Sequence, residues 1–98
     1  MTNKNVFRED RRLRLLCLMR DDPAYQVNLF VAQDALKAMY AHPISMDALI
    51  SECEWLAELG LLEISDLSGI KVIKLTQRGL DVAQGNTFVS GVRRPRPE

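Results

Sequence analysis

Residues 53–83 read Cys53-Glu-Trp-Leu-Ala-Glu-Leu-Gly-Leu-Leu-Glu-Ile-Ser-Asp-Leu-Ser-Gly-Ile-Lys-Val-Ile-Lys-Leu-Thr-Gln-Arg-Gly-Leu-Asp-Val-Ala83. A helical apolar spacing ends at Gly60, a residue suited to the left-handed position just past a helix. Leu62 and Ile64 then alternate with Glu63 and Ser65, the mark of a strand with one buried face. Leu67-Ser68-Gly69 reads as a tight turn. On the return strand Ile73 and Leu75 face the core, Lys74 takes the other face and Lys71 stands near the tip. Thr76 caps a short helix that reaches Ala83 and stops at Gly85. Helix, hairpin and helix follow one another within about thirty residues.

Upstream, a first helix is expected from about Asn5 to Arg20, with Val6, Leu13, Leu16, Cys17, Leu18 and Met19 at helical spacing. Asp10 and Arg14 are four apart with the acid first, the better orientation for a surface pair. Asp21-Asp22-Pro23 ends it, because Pro23 disfavours helical geometry at Asp22. A second helix opens behind Asn28, after an extended lead-in at Tyr25-Gln26-Val27; Asp22 with Pro23 is the alternative start. Phe30, Val31, Leu36, Met39 and Tyr40 are its expected buried stripe, and His42-Pro43 closes it. A third opens behind Ser45, with Leu49, Ile50, Cys53, Leu56 and Leu59 along one stripe. The expected architecture is mainly α with a small β-hairpin. It is a winged helix-turn-helix of three helices, a two-stranded wing, a short fourth helix and an extended tail. Residues 1–85 form the domain and residues 86–98 a basic Pro/Arg-rich tail.

Ninety-eight residues suit one core, and a 47% apolar fraction argues against wholesale disorder. The longest apolar run is Leu15 to Met19, too short for a membrane span or a signal-peptide core, so a cytoplasmic protein is expected. Cys17 and Cys53 fall within apolar helical patterns and lack metal-ligand spacing; free buried thiols are expected, and no metal or cofactor. The net charge is zero but unevenly placed. Residues 1–20 balance at +4, residues 21–60 at −6 and residues 61–98 at +2. Any polyanion would have to be met by the ends of the chain.

Trp55-Leu-Ala-Glu-Leu-Gly60-Leu-Leu62, then the hairpin and Leu75-Thr76-x-x-Gly79-x-x-Val82-Ala83, resembles the winged-helix pattern of MarR- and ArsR-type regulators. The whole chain more closely resembles the small winged-helix proteins of Mu-like prophages. Tyr25-x-Val27-Asn28 and Gly91-Val92-x-Arg94-Pro95-Arg96-Pro97 carry that likeness beyond the wing. The resemblance implies a winged-helix fold, a prophage origin and a regulatory role.

Readers of this type place the second helix of the motif in the major groove. Here that helix is the third, and it carries Asp47, Glu52, Glu54 and Glu58 at its expected outward positions and no Arg or Lys. The resembled regulators usually offer Arg, Lys, Ser, Asn or Gln there. Phosphate neutralisation supplies much of DNA affinity, so four carboxylates oppose insertion. Candidate phosphate contacts lie elsewhere: Arg8, Arg11, Arg12 and Arg14 on the first helix, Lys71 and Lys74 on the wing, and Arg93, Arg94 and Arg96 in the tail. Plainer readings stand beside them: a solvated helix face paired to Glu9 and Asp10, strand-edge protection, and a solubilising end. No catalytic constellation is visible, since His42 is the lone histidine and fits a helix-end contact, and Trp55 fits a core anchor or dimer contact. The expected protein is not an enzyme, and a homodimer is expected through the leucine-rich first helix. It meets either duplex DNA, through the basic residues, or a phage or host protein, through Asp47, Glu52, Glu54 and Glu58.

Overall fold

Seven elements run in the order α1 (Asn3–Arg20), β1 (Gln26–Asn28), α2 (Leu29–Tyr40), α3 (Met46–Glu58), β2 (Leu62–Leu67), β3 (Ile70–Leu75) and α4 (Gln77–Ala83). They are those of a computed structural model that describes the backbone of residues 3–96 and the side chains of residues 5–96. Pro97 and Glu98, the end of the expected tail, lie outside the described residues. The strands form one antiparallel sheet in the order β1-β3-β2.

The sheet therefore has three strands, not the expected two. β1 is the lead-in before Asn28, and it pairs Gln26 with Lys74, Val27 with Ile73 and Asn28 with Val72. Three residues are too short to show an alternating pattern, so the strand is created by its partner. The hairpin itself turns as expected. Leu67 pairs with Ile70, and Ser68 and Gly69 both take positive φ, as a type I′ turn demands. The Asp66 carboxylate accepts a bond from the Gly69 amide at 2.8 Å and fixes the turn.

Helix ends follow local chemistry. The Asn28, Ser45 and Thr76 side chains accept from the amides of Val31, Ala48 and Gly79. At the end of α3, Gly60 donates to the Ala57 carbonyl and Leu61 to that of Leu56, a Schellman closure around a left-handed glycine. The Thr76 hydroxyl also donates to the Gly60 carbonyl at 2.6 Å, so one side chain joins the end of α3 to the start of α4.

The core gathers Leu13, Leu15, Leu16 and Met19 of α1 with Leu29, Ala32 and Leu36 of α2 and Leu49, Cys53 and Leu56 of α3. Leu62, Ile73 and Leu75 enter from the sheet and Val82 and Ala83 from α4. Burial raises the pKa of both cysteine thiols, that of Cys53 to about 12. Two expected stripes are corrected. Phe30, Val31 and Met39 of α2 are 60%, 51% and 63% exposed, because the Asn28 cap sets a start that turns Leu29, Ala32 and Leu36 inward instead. Apolar residues lie on nearly every side of this helix, so spacing alone does not select the inner face. Val6 is exposed on the first turns of α1. The α1 leucines that suggested a dimer contact are consumed by the chain's own core.

A methyl group at Gly79 would lie 1.9 Å from the Leu61 carbonyl oxygen, so α4 crosses the β2 entry at backbone contact. Gly79→Ala is expected to lower stability by about 1–3 kcal/mol in urea unfolding. An unchanged unfolding midpoint would contradict this packing.

Candidate nucleic-acid interface

The sequence nominates thirteen charged residues, and the fold divides them. Glu52 was expected on the outer face of α3. It is instead 8% exposed and faces α1. Arg11 donates from Nη2 to its Oε2 at 2.9 Å, and Arg12 from Nε to its Oε1 at 2.9 Å. Arg12 continues outward: its Cζ lies 3.8 Å from the centroid of the Trp55 ring, and its Nη1 donates to the Gly91 carbonyl at 3.0 Å. Gly91 has φ +94 and sits so close that a Cβ would be 2.7 Å from Trp55. Trp55 is thus a half-buried anchor stacked by an arginine. Among the described residues, Arg11 Nε is the buried side-chain nitrogen left without a hydrogen-bond partner.

A second cluster holds the other side of α1. Asp10 receives the His42 Nε2–H at 2.7 Å, the Arg93 Nη1–H at 3.1 Å and an ion pair from Arg14 at 3.5 Å. His42 is buried, and its backbone amide also donates to the Leu36 carbonyl at the end of α2. Partial burial of the Asp10 carboxyl works to raise its pKa, but the His42 hydrogen bond and the charges of Arg14 and Arg93 outweigh it and hold it below 3.8.

Arg11, Arg12 and Arg93 are therefore engaged inside the molecule. Arg8, Lys71, Lys74, Arg94 and Arg96 are exposed, with no ion pair to another described residue. Lys74 stands opposite Glu63 across the hairpin and Lys71 opposite Asp66, so each wing cation has an acid beside it. On α3, Asp47, Ser51, Glu54 and Glu58 form an outward stripe at helical spacing, and all four are exposed.

Residues 84–96 have no helix or strand, yet they are tied down. Val89 and Val92 join the core, and the Arg93 amide donates to the Glu9 carbonyl at 3.1 Å. This return path brings Arg93, Arg94 and Arg96 beside Arg14 and Arg20 of α1 in a cleft of about 360 Å³. Arg14 belongs to the basic cluster expected on the first helix, whereas Arg20 is not nominated from the sequence. The only signal of Arg20 is charge at the end of that helix, and its juxtaposition with the tail arginines arises from the tail's fold. Among the described residues no His, Cys, Asp and Glu group could hold a metal ion, and no helix is long and apolar enough to cross a membrane.

Comparison with known proteins gives the family and the fold of the chain. An uncharacterized protein, gp26 of Escherichia phage Mu, is 42% identical over 93 residues, spanning 95% of both chains. The chain belongs to the phage Mu gp26 family. An uncharacterized protein of Haemophilus influenzae, 32% identical over 99 residues, covers 100% of this chain and 95% of its own length. Among solved structures, F93 from STIV, a winged-helix DNA-binding protein, superposes with a TM-score of 0.61. That match covers 86% of this chain and 84% of the other at 15% identity, and it establishes the winged-helix fold. No protein-family model matches the chain. The gp26 relationship supports the phage side of the resemblance; the MarR/ArsR side has the shared fold alone behind it.

The Asp10 cluster sets an acid dependence. A carboxylate whose folded pKa is depressed stabilises the fold above its unfolded value, and that contribution is lost as pH falls through the folded value. Asp10→Asn is expected to cost about 1–3 kcal/mol at pH 7, where it strands three cationic or donor partners. The gap to the parent protein should close as pH drops below 3.8. Urea unfolding of both proteins across acid pH checks this, and a pH-independent gap would contradict it.

Proposed function

We propose that the protein is a non-enzymatic winged-helix module of Mu-type phages, working in the host cytoplasm as a nucleic-acid-binding regulator. It contacts duplex phosphates through the wing and the basic ends, with Arg8, Lys71, Lys74, Arg94 and Arg96 as its contact residues. The observation that carries this reading is that these five cations are exposed and free of ion pairs to described residues on a winged-helix frame. The acid stripe of α3 sets the manner of binding. Asp47, Glu54 and Glu58 would meet the negative potential of the groove, so α3 stays out of it. Such binding follows backbone charge and shape more than base sequence.

A second reading has its own support. The same acid stripe, with no basic residue on α3, suits a basic surface of a phage or host protein. A homodimer also remains part of the proposal. Its candidate face is now α2, where Phe30, Val31 and Met39 are exposed, and light scattering at micromolar concentration should give twice the 11.1 kDa chain mass. A monomer there contradicts pairing.

A salt titration of binding to random duplex DNA separates the two readings. Affinity should fall with a log–log slope of about −0.9 per phosphate neutralised. Lys71→Ala with Lys74→Ala should flatten that slope by up to about two such units. Glu54→Gln with Glu58→Gln should leave DNA binding intact or strengthen it. Undetectable binding at low salt would overturn the DNA reading, and a protein partner lost on neutralising Glu54 and Glu58 would establish the second.

A further inference from the structure

Between the second half of α1, the end of α2 and the returning tail lies a cleft lined by Arg14, Arg20, Arg93, Arg94 and Arg96, with Tyr40, Pro95 and Asp10 completing its walls. Five arginines thus line a cleft of about 360 Å³ that holds one carboxylate, room for a multivalent anion. We propose that this cleft is a binding site for a phosphate-bearing anion. It goes beyond the wing-and-ends reading, because a free polyphosphate would satisfy it as well as a duplex backbone; where the phosphate belongs to DNA, it rests on that reading.

Arg14, Arg20, Arg93 and Arg94 are held in place by contacts within the molecule, and Arg96 follows on the anchored tail. The tail backbone is fixed by buried Val92 and by the Arg93 amide on the Glu9 carbonyl. The Pro95 ring packs at Gly85, where an added Cβ would lie 3.1 Å from its Cγ. Arg14 lies over the Tyr40 ring at 5.0 Å and Arg94 over Phe88 at 5.1 Å, which orients both planar groups. Arg20 is bound to Asp21 by two contacts at 2.9 and 3.3 Å, and Arg93 to Asp10 through a single nitrogen.

The charges do not balance inside the cleft. Asp10 is already shared among Arg14, Arg93 and His42, and Asp21 serves Arg20 alone. Arg94 and Arg96 have no carboxylate partner among the described residues. Each guanidinium carries five N–H donors, so most donors facing the cleft have no protein acceptor. Like charges brought together repel, and a multivalent oxyanion relieves that repulsion while accepting the free donors. Carboxylate ligands fit less well, since one or two charges leave most of the arginines uncompensated.

The test is calorimetric titration of the full chain with sodium tripolyphosphate at low ionic strength, followed by a short random duplex in competition. The parent protein should bind tripolyphosphate. Arg20→Gln with Arg96→Gln, one half-buried and one exposed, should weaken binding about tenfold with an unchanged thermal midpoint. Arg20→Lys with Arg96→Lys should recover part of the loss. Lys71→Ala with Lys74→Ala should leave tripolyphosphate binding as it was. If the duplex displaces tripolyphosphate, the ligand is a nucleic-acid backbone; if it does not, a free polyphosphate or nucleotide is the source. Tripolyphosphate bound without any DNA affinity supports the cleft and overturns the DNA reading. No tripolyphosphate binding, or equal binding by the Gln variant, overturns the cleft, whatever the wing does with DNA.

Discussion

One buried carboxylate organises the charged half of this molecule. Glu52 sits between Arg11 and Arg12, and both bonds are 2.9 Å. A carboxylate in that position is costly to desolvate, and only two close cations with good geometry offset the cost. The pair clamps α1 onto α3. Arg12 then extends the clamp to Trp55 and the Gly91 carbonyl, so the same side chain seats the returning tail. The Glu52 clamp therefore bears on helix packing, tail path and surface charge together.

The consequence for function is a redistribution of charge. The sequence concentrates basic residues at both ends, but the fold turns Arg11 and Arg12 inward against Glu52 and engages Arg93 with Asp10. The wing lysines face acids across the hairpin. What remains positive is scattered over the start of α1, α2, the wing, α4 and the tail, apart from one concentration where the tail meets the end of α1. What remains negative is the outward stripe of α3, the element that a typical helix-turn-helix reader would insert. A fold shared with a DNA-binding protein is thus combined with a surface arranged differently from a major-groove reader, and fold alone does not decide the partner.

The parts of the fold legible in the sequence were those set by local chemistry. Gly60, Ser68-Gly69 and the caps Asn28, Ser45 and Thr76 each act within a few residues, and each turned the chain where expected. The parts that were not legible depend on contacts far apart in sequence. β1 exists because β3 lies beside it, and the inward face of α2 follows from its docking rather than from its spacing. Glu52 looked like its neighbours Glu54 and Glu58, yet its partners lie 40 and 41 residues away. The tail's irregular, Pro- and Arg-rich composition gave no hint that Val89 and Val92 are core residues, or that Arg12 reaches across 79 residues to hold Gly91. Of the candidate site, residue types were readable and their mutual engagement was not.

That engagement is the central claim, and a double-mutant cycle between Arg12 and Glu52 tests it most directly. Urea unfolding of Arg12→Ala, Glu52→Ala and the double variant isolates the energy of the pair from the stacking on Trp55. The account predicts a coupling of about 1–3 kcal/mol between two residues 40 apart in sequence. Effects that simply add, to within about 0.5 kcal/mol, would contradict it and return the α1 arginines to the solvent-facing surface.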